Sequence, residues 1–183
     1  MVQFHQSYSY EDFVQGIRPS EEGGFERKNG IFFDFCSKAR RSPDQQFVFI
    51  IDEINRGNIS KILGELMMLI EADKRKKQYA IKLTYSNEDD ERFFVPENVY
   101  LIGCMNTADR SLAIVDYALR RRFRFISIKP EFNEAFISFL EDKGISQENA
   151  ELMVSKLKAA NEVISTIDRG LEIEHSYFCQ TEG

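Results

Sequence analysis

The pattern of apolar and polar positions divides the chain into short strands alternating with amphipathic helices. Phe47-Val48-Phe49-Ile50-Ile51 is an unbroken β-branched and aromatic run, which suits a parallel strand buried on both faces better than a half-exposed one. Asp52 and Glu53 sit at its carboxyl end. Val99 to Cys104 and Phe123 to Ile128 are two further short apolar runs, each beside a dense polar motif, and both are read as strands. Between these runs the period lengthens. From Gly30 to Arg41, Ile31, Phe32, Phe35, Cys36 and Ala39 recur near three- and four-residue spacing, which predicts a helix with one buried face that Ser42-Pro43 ends. A second helix is predicted from Asn58 to Ala72, with Asn58 as its cap and Ile62, Leu63, Leu66, Leu69 and Ile70 on the inner side.

The remaining stretches are less regular. Phe4 to Arg18 reads as a short strand or turn, followed by a loop where Glu21-Glu22-Gly23-Gly24 interrupts any period. Tyr79 to Tyr85 and Arg92 to Val95 flank the polar stretch Ser86 to Asp90, the arrangement of a hairpin with a solvated tip. After Pro130 the spacing turns helical, with Phe132, Phe136, Phe139 and Leu140 in one segment and Leu152, Leu157, Val163 and Ile164 in the next. Strand, motif, helix, strand is an α/β layout. The expected organisation is an α/β core over residues 1–130 and the start of a small helical subdomain over 131–183.

Composition narrows the class. At 183 residues the chain has room for one domain with a real core and a small appendage. Sixteen Phe and a hydrophobic fraction of 43% argue for a folded globular protein. A formal charge of -6 offers no global attraction to a phosphate backbone, so nucleic acid is not the obvious partner of this piece. Cys36, Cys104 and Cys179 are odd in number and widely spaced, which yields neither a disulfide framework nor a metal knuckle. The longest apolar runs fall far below the roughly 20 residues of a membrane-spanning helix, and a cytoplasmic protein is expected.

Three constellations carry candidate chemistry. A hydrophobic strand ending in Asp52-Glu53 is the Walker B pattern: one acid holds magnesium, usually through water, and the other polarises an attacking water. A strand closed by a helix-capping acid is an equally good account of the pair taken alone. Asn55, Arg56 and Gly57 pack polar side chains and a turn directly after the acids, where a ligand could approach; a charged surface turn is the plainer account. Met105-Asn106-Thr107-Ala108-Asp109-Arg110 follows the Val99 strand, so Asn106 falls beside Asp52 if the two strands are neighbours and could orient water. Asn106 and Asp109 could equally serve an Asx turn and a helix cap. Arg120-Arg121-Arg122 follows an apolar helix, Leu112 to Leu119, in a position expected to be exposed, and suits stabilisation of phosphoryl charge in trans. The same arginines also complement a helix dipole.

In fixed order, the strings FHQSYSYEDFVQGIRP, FVFIIDEINRGNISKILGEL and GCMNTADRSLAIVDYALRRRF resemble the McrB-type branch of AAA+ proteins, within the dynein-related AAA subfamily. That branch is the GTP-hydrolysing motor of modification-dependent restriction systems. The resemblance reaches His175-Ser176-Tyr177-Phe178, similar to a GHSYF stretch of the family's helical lid, with Glu174 where glycine is usual; His175 is expected to be a buried structural histidine. It implies a three-layer AAA+ sheet of order 5-1-4-3-2, with Asp52 as the magnesium-site acid, Glu53 as the catalytic glutamate and Asn106 as first sensor. Asp109 would support the sensor loop, Arg121 and Arg122 would be fingers reaching a neighbouring subunit, and Asn55 and Arg56 would communicate with the site or with a stimulating nuclease subunit.

The implied function is the nucleotide-hydrolysing (GTP or ATP) motor subunit of a 5-methylcytosine-specific McrBC-like restriction endonuclease. It uses Mg2+, assembles in a ring, partners an McrC-like nuclease subunit and reaches modified DNA through a separate domain. The alternatives are an AAA+ ATPase of another remodelling or defence system and a non-hydrolysing AAA+-like scaffold. No Gly-x-x-x-x-Gly-Lys-Ser/Thr occurs in the sequence, so the amide nest and lysine that cradle phosphates are missing. Met1 is therefore expected to fall inside the domain, downstream of the phosphate loop, and the chain alone to be catalytically silent. With the family's first strand missing, the Val99 and Phe123 strands are expected to pair directly or to be completed by another chain.

Overall fold

The computed structural model describes residues 1–106 and 117–179. They divide into two compact units, one formed by Met1–Asn106 with the described stretch up to Arg124, the other beginning at Phe125.

The first unit is built on a three-stranded parallel sheet. Strand β1 (Val2–Gln3) leads to helix α1 (Tyr10–Phe13), the antiparallel hairpin β2 (Gln15–Pro19) and β3 (Phe25–Asn29), and helix α2 (Ile31–Arg41). Strand β4 (Phe47–Asp52), helices α3 (Ile59–Leu63) and α4 (Leu66–Leu69), strand β5 (Val99–Gly103) and helix α5 (Tyr117–Arg120) complete it. The sheet order is β1-β4-β5, with Val2 opposite Ile51, and Phe49 opposite Leu101. This mixed α/β arrangement matches the second, third and fourth strands of the order implied by the family resemblance.

One face of the sheet is packed by aromatic rings. Phe13 stacks on Phe32 at 4.9 Å, and Phe49 meets Phe13, Phe32 and Phe35 edge-on at 5.8, 5.2 and 4.9 Å. Offset and edge-to-face contacts of this kind add to the gain from burying apolar area. The opposite face carries Val48, Tyr100 and Ile102, each about half exposed, as the two-residue period of a strand requires once the odd positions point into the core.

Several expected elements take other forms. The helix expected from Asn58 to Ala72 is broken at Gly64, which adopts φ 49° between α3 and α4, a conformation glycine enters without steric cost. Asn58 caps α3 as expected, its side chain accepting from the Lys61 N–H at 3.0 Å. The loop expected at Glu21 to Gly24 lies in the turn of the β2–β3 hairpin, where Gly23 and Gly24 both have positive φ. The hairpin expected around Ser86 shrinks to a single antiparallel bridge between Ile81 and Phe93. Residues 123–128 form no strand, so the expected direct pairing of two strands does not arise.

The second unit is helical. Helix α6 (Glu134–Asp142), capped by Asn133 through the Phe136 N–H, packs on helix α7 (Gln147–Ile167) around Phe132, Phe136, Leu140, Ala150 and Val154. His175 is half-buried rather than buried: its Nδ1 accepts from the Glu131 N–H at 3.1 Å and its ring lies edge-on to Phe136. No described helix is long and apolar enough to cross a membrane.

Candidate functional site

The site is assembled at the carboxyl ends of β4 and β5, where open parallel sheets bind ligands. β4 is held on both sides, by β1 and by β5, and the Phe4 N–H extends the ladder by donating to the Asp52 carbonyl at 2.9 Å. Asp52 is thus the last residue of the strand, half-exposed at its tip.

Glu53 follows with φ 48° and ψ 44°, the only non-glycine residue of positive φ among those described. A left-handed backbone costs a non-glycine residue about 1–3 kcal/mol and persists only where the surroundings impose it, which is a mark of functional sites. Here the surroundings are explicit. On the far side of the turn the Ile54 N–H donates to the Cys104 carbonyl at 2.9 Å, and the Cys104 N–H donates back to Ile51 at 2.8 Å. The Glu53 carbonyl accepts from the Arg56 N–H, and its carboxylate lies 3.2 Å from Arg56 Nε.

Asn55 joins this turn to the next strand. It is buried, and its Nδ2 donates to the main-chain carbonyl of Asn106 at 3.3 Å. Asp52, Glu53, Asn55, Arg56 and Asn106 therefore share one end of the sheet, with Arg56 and Asn106 exposed. Asp109 lies outside the described residues.

The arginine cluster forms a separate turn after α5. Arg120 and Arg121 are exposed, but Arg122, expected to be exposed with them, is not: its side chain is only 9% accessible and pairs with Glu71 at 2.8 Å. The reason is local geometry. The Arg122 and Phe123 N–H groups both donate to the carbonyl of buried Leu119, and Phe123 packs on the core, so the turn directs its second and third arginines differently. Glu71 was not among the residues the sequence singled out; its signal was an acid just past an apolar helical run, 51 positions from its partner.

Parallel strands whose adjacent tips carry an Asp-Glu pair and a polar amide, backed by helices, form an α/β core consistent with the P-loop NTPase fold. The chain belongs to the AAA domains of the dynein-related subfamily, whose family model matches residues 1–123. It is 56% identical over 184 residues to the Type IV methyl-directed restriction enzyme EcoKMcrB subunit of Escherichia coli (strain K12), a match covering 98% of this chain and 40% of that protein. It is 27% identical over 128 residues to the Type II restriction enzyme BsuMI component YdiS of Bacillus subtilis (strain 168), covering 65% of this chain and 37% of that one. The chain spans about two fifths of the length of these curated relatives.

Proposed function

We propose that the chain is the acidic, sensor and arginine portion of an McrB-like motor subunit that hydrolyses GTP or ATP. The motor would work in a cytoplasmic ring that drives a partner nuclease subunit on modified DNA, with the DNA read by a domain outside this chain. The observation that carries the reading is the junction at the sheet end. There a strained Glu53 sits between Asp52 and the main chain of the next strand, and Asn55 ties the turn to Asn106.

In this reading Glu53 orients and deprotonates the attacking water, and Asn106, with Asp109, keeps that water in line. Asn55 and Arg56 hold the turn, and the arginine turn, through exposed Arg121 with Arg122 beside it, provides the cationic side of a neighbouring subunit's site. The half-exposed acid at the strand tip fits magnesium, which is held by one or two carboxylates together with the nucleotide's own phosphates. No cluster of three ligating side chains forms among the described residues, so a cage made of protein alone is not offered. Asp52 would hold the ion, which when bound neutralises phosphate charge. Residues 131–183 are read as the beginning of the helical lid.

The reading is tested in the complete protein, phosphate loop included. Glu53→Gln should abolish magnesium-dependent hydrolysis while nucleotide binding persists. Equal turnover in the variant and the parent refutes the role given to Glu53.

A further inference from the structure

The arginine turn contains a division of labour. Arg122 Nη2 lies 2.8 Å from Glu71 Oε1, and the side chains are 9% and 30% accessible respectively. Removing one member of a pair this buried leaves an uncompensated charge, so Arg122 cannot reach outward without breaking a contact in its own subunit. Arg121, the preceding residue, is exposed.

Glu71 stands on a firm base. It lies just past α4, after Ile70, its N–H donating to the Met68 carbonyl and its own carbonyl accepting from the Lys74 N–H. The carbonyl of the preceding residue, Ile70, accepts from Arg75 Nε at 3.0 Å and Nη2 at 2.7 Å, while Arg75 Nη1 donates to the carbonyl of Val99, where β5 begins. A continuous set of contacts thus runs from the start of β5, the strand that leads to Asn106, through Arg75 and Ile70, to Glu71 and on to Arg122. At the other end Leu119 and Phe123 root the arginine turn in the same core.

We propose that Glu71 is a positioning residue: by holding Arg122 in cis it fixes the arginine turn, so that Arg121 alone is presented to the nucleotide of a neighbouring subunit. The inference rests on the reading of the parent as a nucleotide-hydrolysing ring. A guanidinium acting on phosphoryl charge in trans must arrive in a defined orientation, and the Glu71–Arg122 pair supplies the constraint. The latch also joins the arginine turn to the base of the sensor strand, so the two ends of a subunit that face different nucleotides share one structural element.

The test is a kinetic mutant cycle in the complete ring with Mg-GTP and Mg-ATP. Arg121→Ala should lower kcat roughly a thousandfold, as loss of a trans arginine does, and Glu71→Gln should lower it severalfold with the nucleotide KM unchanged. Because Glu71 acts through Arg121, the double variant should be no slower than Arg121→Ala alone. The reciprocal exchange Glu71→Arg with Arg122→Glu should recover most of the activity lost in Arg122→Glu, although a carboxylate at that position cannot neutralise a phosphate. Additive losses in the double variant overturn the proposal, as does an exchange variant that regains thermal stability but stays as slow as Arg121→Ala. Hydrolysis insensitive to Glu53→Gln would instead sink the motor reading itself, a separate outcome from additivity with Glu53 dependence intact.

Discussion

Residues 47–52 and residues 123–128 are made of similar side chains and end in different states. The first run has a parallel neighbour on each side and places Phe49 and Ile51 in the core at 2% accessibility. In the second, Ile126 and Ile128 are 78% and 90% accessible, and no described strand lies alongside. Apolar β-branched composition supplies only a preference; the strand itself requires partners for its backbone groups and a surface for its side chains. Where both are present the end of the strand is so firmly defined that Glu53 can be held in a left-handed conformation. Where both are wanting, as at Ile126 and Ile128, the same kind of sequence stays irregular.

The contrast is broken most directly by truncating one side chain from each run. Phe49→Ala removes a ring touching three others and should cost about 3–5 kcal/mol, whereas Ile126→Ala should lie within about 0.5 kcal/mol of the parent. Denaturant unfolding of this chain measures both. An Ile126→Ala loss comparable with that of Phe49→Ala would mean that residues 123–128 are covered in solution.

How far this was legible in the sequence follows the same division. β4 with its acids, the Asn58 cap and helix α2 were readable because each is written in a few consecutive residues: an apolar run, a capping side chain, a 3.6-residue period. The β2–β3 hairpin was not readable. Phe-Glu-Arg-Lys-Asn in β3 has no alternation and is exposed throughout, so only pairing with β2 makes it a strand. Gly64 interrupts an otherwise regular helical pattern, and the period alone does not reveal a positive φ. The Glu71–Arg122 pair joins positions far apart in sequence, and only the packing of Leu119 and Phe123 turns Arg122 inward. The candidate acids, Asn55 and Asn106 were named from local strings; their shared location depended on β4 and β5 being neighbours.

Two thiols sharpen the comparison at intermediate size. Cys36, on the α2 face that covers the sheet, is fully buried, and burial pushes its thiol from the ordinary value of 9.0 to about 12, with Arg40 and Arg75 opposing the rise. Cys104, just past β5, is exposed. A thiol reagent should therefore modify Cys104 in the native chain and reach Cys36 only through unfolding. The raised thiol also gives a sign for alkaline stability. Below the unfolded value of 9.0 the neutral thiol's contribution is fully present, and it is lost as pH rises toward about 12, because the unfolded chain releases the proton first. Stability should fall across that window, and Cys36→Ala should flatten the fall. Tyr10 and Tyr8, whose phenols are raised by burial, and Tyr85, raised by its hydrogen bond to Glu11, contribute to the slope that remains. An unchanged slope in Cys36→Ala would show that the thiol is not the group responsible.

The smallest expected effect lies on the open face of the same sheet. The register sets Val48 opposite Tyr100 and Ile50 opposite Ile102, and Val48, Tyr100 and Ile102 are about half exposed, whereas Phe49, one position along, is buried. Val48→Thr keeps the β-branch, so strand preference is retained, and a hydroxyl on a wetted face incurs little desolvation. The change should alter the stability of this chain by no more than about 0.5 kcal/mol. Phe49, pointing the other way from the next position, would tolerate no comparable exchange. If Val48→Thr costs several times that amount in a longer form of the protein and nothing in this chain, the face is covered there by further sequence; equal small effects in both mean that it stays open to solvent.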